Sequence, residues 1–232
     1  HRSRDCPMTT SFVTVVLAII EKDFRAEFRS RELIATMLLF SLLSVLVFSF
    51  ALELNRVAEE QAVSGVLWVT IVFASLLGLN RSMAMEQENA SIDAMLMSPI
   101  HRAAIFTGKL IGNFMFTIAV GLLLLPLMTL LYNMNLMQWW LLGVLILGTL
   151  GVCITGTLLS TMTVQTRSRE SLLPIVMLPV VLPILLAAVT STNGIIGDLP
   201  IQDWRLWVSI LVAVNTIYLV ICMLTFAYVI EE

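Results

Sequence analysis

The most constraining feature of this chain is a run of 57 consecutive residues, from Leu110 to Thr166, that contains no charged side chain. The hydrocarbon core of a lipid bilayer is about 30 Å thick, and about 20 apolar residues in a helix cross it. The run is therefore long enough for two crossings with a tight turn between them. Charged residues make up 12% of the whole chain, against roughly 25% in soluble domains. The sequence predicts an all-α integral membrane protein.

Charge-free stretches divide the rest of the chain into further spans. The polar segment Tyr132–Asn135 breaks the long run near its middle, and Trp139 and Trp140 follow it as interfacial anchors. The pattern predicts six transmembrane helices, near residues 33–53, 62–80, 107–132, 139–164, 171–191 and 207–230. We expect residues 11–232 to form one membrane domain, and residues 1–10 to be a disordered segment or an expression remnant.

The positions of lysine and arginine predict the orientation of these spans. If the N-terminus is cytoplasmic, 11 of the 13 Lys and Arg residues lie inside, and only Arg56 and Arg205 lie in outer loops. Cytoplasmic loops of membrane proteins carry such an excess of positive charge. Because the number of spans is even, both termini are then expected in the cytoplasm. The protein itself is expected in the inner (cytoplasmic) membrane of the cell.

Residues 11–32 have the pattern of a helix that lies in the membrane interface. Its apolar stripe consists of Val13, Leu17, Ile20, Phe24 and Phe28, and a neighbouring basic face carries Lys22, Arg25 and Arg29. Such a helix places its apolar side among acyl chains and its basic side toward anionic lipid headgroups. Two interpretations stay open. The helix is either an anchor that holds the first span in place or an elbow helix that also packs on other spans.

The loop between the second and third spans, residues 81–102, is the candidate for binding a partner protein. Asn89 or Ser91 can cap a short helix in this loop, and Pro99 ends it. The candidate contact residues are Glu86, Glu88, Ser91, Ile92, Asp93, Met95 and Leu96. A short helix with one apolar face either folds on its own bundle, lies on the membrane or docks into a groove of a partner.

The fifth predicted span contains three prolines, Pro174, Pro179 and Pro183. Each proline removes one backbone hydrogen bond and bends a helix. The spacing predicts a distorted span in which part of the helix can unwind. It is either a static irregularity of the packing or a helix that bends during gating.

Several activities are excluded by patterns that the sequence lacks. Gly108-Lys109 is followed by Leu110, and Ala103 stands where a Walker A loop needs its first glycine, so ATP is not bound by that route. The spans hold no acid–base pair of the kind that proton-coupled carriers use, and no protease motif. No basic cluster suggests nucleic-acid binding, and the three cysteines lack metal-site spacing. Any transport would need energy from another subunit.

Four segments resemble the cytochrome c maturation protein B family, the haem-exporter permease of an ATP-binding cassette (ABC) system. They are residues 22–32, the segment from Leu79 through the acidic loop to Pro99, residues 107–109, and the proline-rich residues 173–184. The likeness extends from Glu21 to Glu232. Asn80 departs from the stricter Leu-Glu-Arg form of the family's first loop.

The resemblance implies a non-catalytic permease subunit driven by a separate cytoplasmic ABC ATPase, with residues 81–102 as the coupling segment. It also implies other cytochrome c maturation membrane proteins and a periplasmic haem chaperone as partners, in a homodimer or a hetero-assembly within membrane lipid. Haem is then expected as the substrate, and no cofactor is expected to be held by this chain. Two alternatives stay open: an ABC-2-type permease that exports a drug, lipid or glycan, and a membrane scaffold that recruits assembly factors without transport.

Overall fold

The structure, a computed structural model, describes residues 12–52, 56–88, 102–163 and 169–229. These ranges form seven α-helices and contain no strand. The helices are α1 (Phe12–Ser30), α2 (Glu32–Leu52), α3 (Arg56–Glu88), α4 (Arg102–Tyr132), α5 (Trp139–Thr163), α6 (Arg169–Ile196) and α7 (Ile201–Val229). Six of them, α2 to α7, are long and apolar enough to cross a membrane. The predicted all-α membrane fold with six spans is confirmed.

Most of the spanning helices are longer than the charge-free stretches that predicted them. α3 begins six residues before the predicted residue 62 and continues eight residues past residue 80, and α7 begins at Ile201 rather than near 207. A helix satisfies its own backbone hydrogen bonds wherever it lies, so it does not have to end where the hydrocarbon core ends. The positions of charged residues therefore locate the apolar part of each helix but underestimate the length of the whole helix.

α3 and α5 form the centre of the bundle. In the most apolar part of each of these two helices, 72% of the residues are buried, against 22% in α2 and 17% in α7. α3 contacts α2, α4, α5 and α6, while α5 contacts α3, α4, α6 and α7. The amphipathic helix α1 packs chiefly on α4. The two central helices thus connect all the other spans.

The central helices pack closely because glycines on α5 face large side chains. Gly148 lies directly against the indole ring of Trp68 on α3, and the indole Nε1 donates a hydrogen bond of 2.9 Å to Thr192 Oγ1 on α6. Gly151 faces Asn215 on α7. Small residues and interhelical hydrogen bonds are the usual means of holding helices together in lipid. One tryptophan therefore joins three helices.

The proline-rich helix α6 is continuous through Pro174, Pro179 and Pro183, so it does not adopt the partial unwinding that the sequence allows. Pro179 is exposed, and the other two prolines are partly buried. A side chain of α7 supports the middle of this helix, since the hydroxyl of Tyr218 donates a 2.9 Å hydrogen bond to the carbonyl of Val180. The neighbouring carbonyl, that of Pro179, would normally accept a hydrogen bond from the N–H of residue 183. It does not receive that bond because residue 183 is a proline.

Candidate functional site

One end of the bundle is marked by an ion pair between the first two spans. Arg81, near the end of α3, pairs with Glu32 at the start of α2, and the two side chains are 35% and 52% exposed. The beginning of the first span and the end of the second therefore lie at the same level, as an antiparallel helical hairpin requires. We call this the polar end of the bundle, defined by Glu32, Arg81 and Lys109. The predicted coupling loop leaves the bundle here.

A sharp reversal, the elbow, connects α1 to the first span at this end. Arg31 has a left-handed backbone with a φ of 55°, and its N–H donates a 2.7 Å hydrogen bond to the carbonyl of Glu27. The Glu27 carboxylate accepts hydrogen bonds from the backbone N–H groups of Leu33, at 3.3 Å, and Ile34, at 2.8 Å. A carboxylate at a helix N-terminus satisfies free N–H groups and complements the helix dipole. Glu27, only 4% exposed, therefore caps α2 and fixes its angle to α1.

α1 lies on a groove of α4 that two glycines create. The Cβ of Ile19 is 2.9 Å from the point that a Cβ on Gly108 would occupy, and Asp23 Oδ2 is 3.4 Å from the equivalent point at Gly112. Gly108 and Gly112 are four residues apart on α4, and Ile19 and Asp23 are four residues apart on α1, so each pair spans about one helical turn. A Cβ at Gly108 would push α1 away, whereas a Cβ at Gly112 would only touch Asp23, so it is at Gly108 that α4 allows the close approach of α1.

The buried face of α1 differs from the apolar stripe that its sequence suggests. Val13 and Leu17, the first members of that stripe, are 61% and 59% exposed. Val15, Val16 and Ile19 are buried instead, in a cluster with Ala104 and Ile105 of α4. α1 thus has two apolar faces, of which one is exposed and the other is covered by α4. The structure favours the elbow-helix interpretation, in which α1 also packs on a span.

The five residues singled out on this helix occupy different environments. The ring centroids of Phe24 and Phe116 are 5.0 Å apart. Lys22 Nζ lies 3.4 Å from Asp23 Oδ1, and Arg25 pairs with Glu21. Arg29 is exposed, and the side chain of Phe28 lies outside the described part of the structure. Arg25 and Arg29 are therefore the basic side chains of α1 that face outward.

Five helices meet around a small cavity beside this elbow. The lining residues are Asp23 of α1, Leu33 of α2, Leu79 and Ser82 of α3, Lys109, Gly112, Asn113 and Phe116 of α4, and Thr157 of α5. The cavity has a volume of about 20 Å³, which is room for one water molecule. Two of the lining residues each have a buried polar atom, Asn113 Nδ2 and Thr157 Oγ1, without a hydrogen-bond partner among the described residues.

The predicted coupling segment is described only at its base. The apolar part of α3 ends at Ser82, but the helix continues for six more residues to Glu88, about 9 Å of helix. Glu86 and Glu88 lie on this extension, although their side chains are outside the description. Ser91, Ile92, Asp93, Met95 and Leu96 fall within residues 89–101, outside the described residues. A continuous helix thus leads from the second span into the loop.

The family of the chain follows from its sequence as a whole. The sequence model of the family described as "CcmB protein" matches residues 14–231, nearly the entire chain. The chain belongs to the CcmB protein family. Every helix that forms the elbow, the cavity and the six spans lies almost wholly within the matched residues.

The chain is also similar to curated CcmB relatives named "Heme exporter protein B". The relative from Rhodobacter capsulatus is 29% identical over 170 residues, which cover 73% of this chain and 78% of the relative. The relative from Pseudomonas aeruginosa is 24% identical over 197 residues, 84% of this chain and 88% of the relative. The relative from Bradyrhizobium diazoefficiens is 25% identical over 188 residues, which cover 79% of this chain and 83% of the relative.

The architecture of this CcmB chain depends on polar residues that its sequence pattern did not mark as contacts. Asp23 and Glu27 lie on the helix interpreted there as apolar and basic, yet they face α4 and α2. Asn215 is 5% exposed in the middle of α7, and its amide donates a 2.7 Å hydrogen bond to the carbonyl of Leu147 on α5. A lone amide in an otherwise apolar span is itself a signal of a helix contact, so Asn215 was detectable. Among the described residues, no three His, Cys, Asp or Glu side chains come together to hold a metal ion.

Proposed function

We propose that this chain is the membrane permease subunit of an ABC complex that exports haem for the biogenesis of c-type cytochromes. The observation that carries the proposal is the CcmB family match over residues 14–231, supported by relatives named heme exporter protein B. Haem is the proposed substrate rather than a resident cofactor. The proposed location is the bacterial inner membrane, with both termini and the polar end in the cytoplasm. The excess of Lys and Arg at that end supports this orientation.

The energy for transport comes, in this proposal, from ATP hydrolysis on a separate cytoplasmic subunit, and this chain is not itself catalytic. The helical extension of α3 supports a mechanical link to such a partner. A force applied near Glu86 and Glu88 would act on a helix that continues into the second span without a break. Because α3 is one of the two central helices, its movement would displace α2, α4, α5 and α6 together.

α1 gives the complex a second mechanical connection at the polar end. Glu27 holds the start of α2, and Ile19 and Asp23 rest on α4, so α1 ties the first span to the third. The third span begins at Arg102, directly after the proposed coupling segment. A displacement of that segment would therefore reach α2 by two routes, through α3 and through α4 and α1.

Further partners follow from the exposed faces of the outer helices. α2 and α7 are the least buried spans, and they carry large exposed apolar side chains such as Phe50 and Leu224. In the proposed complex these faces contact lipid, a second copy of the chain or other cytochrome c maturation membrane proteins. Delivery of haem to a periplasmic haem chaperone completes the proposed function.

The experiment is complementation of a strain that lacks this chain, with haem staining of its c-type cytochromes. Three plasmids are compared: the wild-type chain, the double charge reversal E86K/E88K, and the control reversal E231K/E232K at the C-terminus. We expect the wild type and the control to restore the stained bands. We expect E86K/E88K to reach the membrane at a normal level without restoring the bands, and to lose stimulation of ATPase activity in the purified complex.

Three results would contradict different parts of the proposal. Normal cytochromes in the deletion strain, with no second copy of the gene, would reject the haem function and favour an ABC-2-type exporter of another substrate. Restored cytochromes and normal ATPase stimulation with E86K/E88K would leave the haem function standing and reject coupling through the α3 extension. If cytochrome assembly requires this chain but no ATPase subunit, the scaffold alternative would be favoured.

A further inference from the structure

We propose that the elbow between α1 and α2 binds an anionic phospholipid. Arg29 and Arg31 would hold the phosphate, and the exposed face of α2 would hold an acyl chain. The inference goes beyond the proposed transport function and does not depend on haem as the substrate. It starts from two exposed arginines, two residues apart, that form no ion pair among the described residues.

Neighbouring charges at the elbow are already balanced by protein groups. Arg25 pairs with Glu21, one turn before it on α1, and Arg81 pairs with Glu32 at the start of α2. The carboxylate of Glu27 is buried and accepts hydrogen bonds from the backbone of α2. The guanidinium groups of Arg29 and Arg31 therefore offer the elbow's uncompensated positive charge to an anion from outside the described chain.

The depth of the two arginines matches that of lipid phosphates. The apolar stretch of the first span begins at Glu32, directly after Arg31, so both arginines lie at the edge of the hydrocarbon core. The polar headgroup layer extends about 5–8 Å beyond that edge on each side of a bilayer. Arginine is always charged and can donate two parallel hydrogen bonds to phosphate oxygens. A phosphate in this layer is therefore the anion that the pair suits best.

An exposed apolar stripe on α2 leads away from the elbow. It consists of Leu39, Leu43, Val47 and Phe50, which share one face of the helix and are each at least 54% exposed. Leu39 is eight residues from Arg31, about 12 Å along the helix. A phospholipid would cover the arginines with its phosphate and the near part of the stripe with an acyl chain. A soluble anion would cover only the arginines, so a lipid accounts for both features.

A lipid at this position would restrain the elbow. α1 ties the first span to the third, through Glu27 on α2 and Ile19 on α4. A ligand that binds the folded state alone stabilises that state by mass action. The lipid composition of the membrane would thus affect how firmly the two spans are connected.

Native mass spectrometry of the purified full-length chain, titrated with dioleoylphosphatidylglycerol, tests the site. Two other probes separate the parts of the lipid: dioleoylphosphatidylcholine has no net charge, and glycerol 3-phosphate has a phosphate but no acyl chain. We expect the wild-type chain to bind phosphatidylglycerol more tightly than either. Arg29→Gln and Arg31→Gln should each weaken that binding about fivefold, and the double variant roughly 25-fold.

Arg25→Gln and Arg205→Gln are the matched controls, because each removes the same charge from an exposed position. Arg25 lies one turn from Arg29 but has Glu21 beside it, and Arg205 lies at the opposite end of the bundle, next to the Trp140–Trp204 contact. Both controls should weaken phosphatidylglycerol binding by less than about twofold, since a paired or distant charge contributes little. If the double variant does not fold, the single variants provide the comparison.

Three results would overturn the proposal. Equal losses in all four single variants would mean that binding follows total charge rather than a site. Wild-type affinity for phosphatidylglycerol in the Arg29 and Arg31 variants would show that these arginines do not hold the phosphate. Binding of phosphatidylcholine or glycerol 3-phosphate as tight as that of phosphatidylglycerol would show that the ligand is not an anionic lipid.

Discussion

Replacing Gly148 with alanine is the sharpest test of how the central helices pack. A Cβ at this position would overlap the six-membered ring of Trp68, with the ring atom Cζ2 only 3.0 Å away and two others closer still. Trp68 is 1% exposed, and its hydrogen bond to Thr192 on α6 holds the ring in place. The ring can make room only by giving up that bond or by separating α3 from α5.

The expected magnitude follows from three opposing contributions. Overpacking a rigid core costs about 1–3 kcal/mol. Loss of the Trp68–Thr192 hydrogen bond, if the ring swings away, adds about 0.5–1.5 kcal/mol. Replacing glycine by alanine within a helix returns about 0.5–1 kcal/mol. We therefore expect Gly148→Ala to lower the free energy of unfolding by about 1–3 kcal/mol.

Gly143 on the same helix provides a matched control. It is exposed, and a Cβ there would have no atom within 4 Å. Gly143→Ala should therefore stabilise the chain by about 0.5–1 kcal/mol through helix propensity alone. The two alanine variants should differ by about 2–4 kcal/mol, although the chemical change is identical.

The measurement is reversible unfolding in mixed micelles with increasing denaturing detergent, followed by far-ultraviolet circular dichroism. A Trp68→Leu background removes the obstructing ring, so Gly148→Ala should no longer destabilise the protein there. Equal unfolding free energies for the Gly148 and Gly143 variants would show that the indole ring does not pack against α5. The same conclusion would follow if Gly148→Ala remained equally destabilising in the Trp68→Leu background.

Three further predictions concern the elbow and the polar end. Glu27→Ala leaves the N–H groups at the start of α2 unsatisfied and should cost about 1–2 kcal/mol, whereas Glu27→Gln keeps an acceptor and should cost less; thermal unfolding that ranks the two variants equally would contradict the cap. Arg31→Gly should stabilise the chain by about 1 kcal/mol, because it removes the strain of a left-handed φ, while Arg29→Gly within α1 should destabilise it by a similar amount; the reverse order in unfolding measurements would be inconsistent with the elbow. Reversing the charge of Glu32 or Arg81 alone should cost at most about 1 kcal/mol, since both side chains are partly exposed; the double swap should recover the loss, and a double-mutant cycle without coupling would mean that they do not pair.

The sequence was sufficient to predict the six spans. The pairing of Glu32 with Arg81, which joins the first two spans as a hairpin, came from the structure. Periodicity was less informative for α1, where Val13 and Leu17 stood out although Val15, Val16 and Ile19 form the buried contact. A helix in the membrane interface has both lipid and protein as apolar neighbours, and hydrophobicity does not distinguish between them.

The sequence by itself determined the number of spans, because a chain in lipid must satisfy its backbone within helices and can place charges only at their ends. Tertiary structure alone decided which polar residues meet. Asn113 and Thr157 share one cavity, and Asn215 reaches the carbonyl of Leu147, although each pair is far apart in the sequence. These contacts depend on the rotation of each helix about its own axis and on the glycines that permit close approach. Because lipid and protein interiors are similarly apolar, packing geometry rather than hydrophobicity selects the rotation.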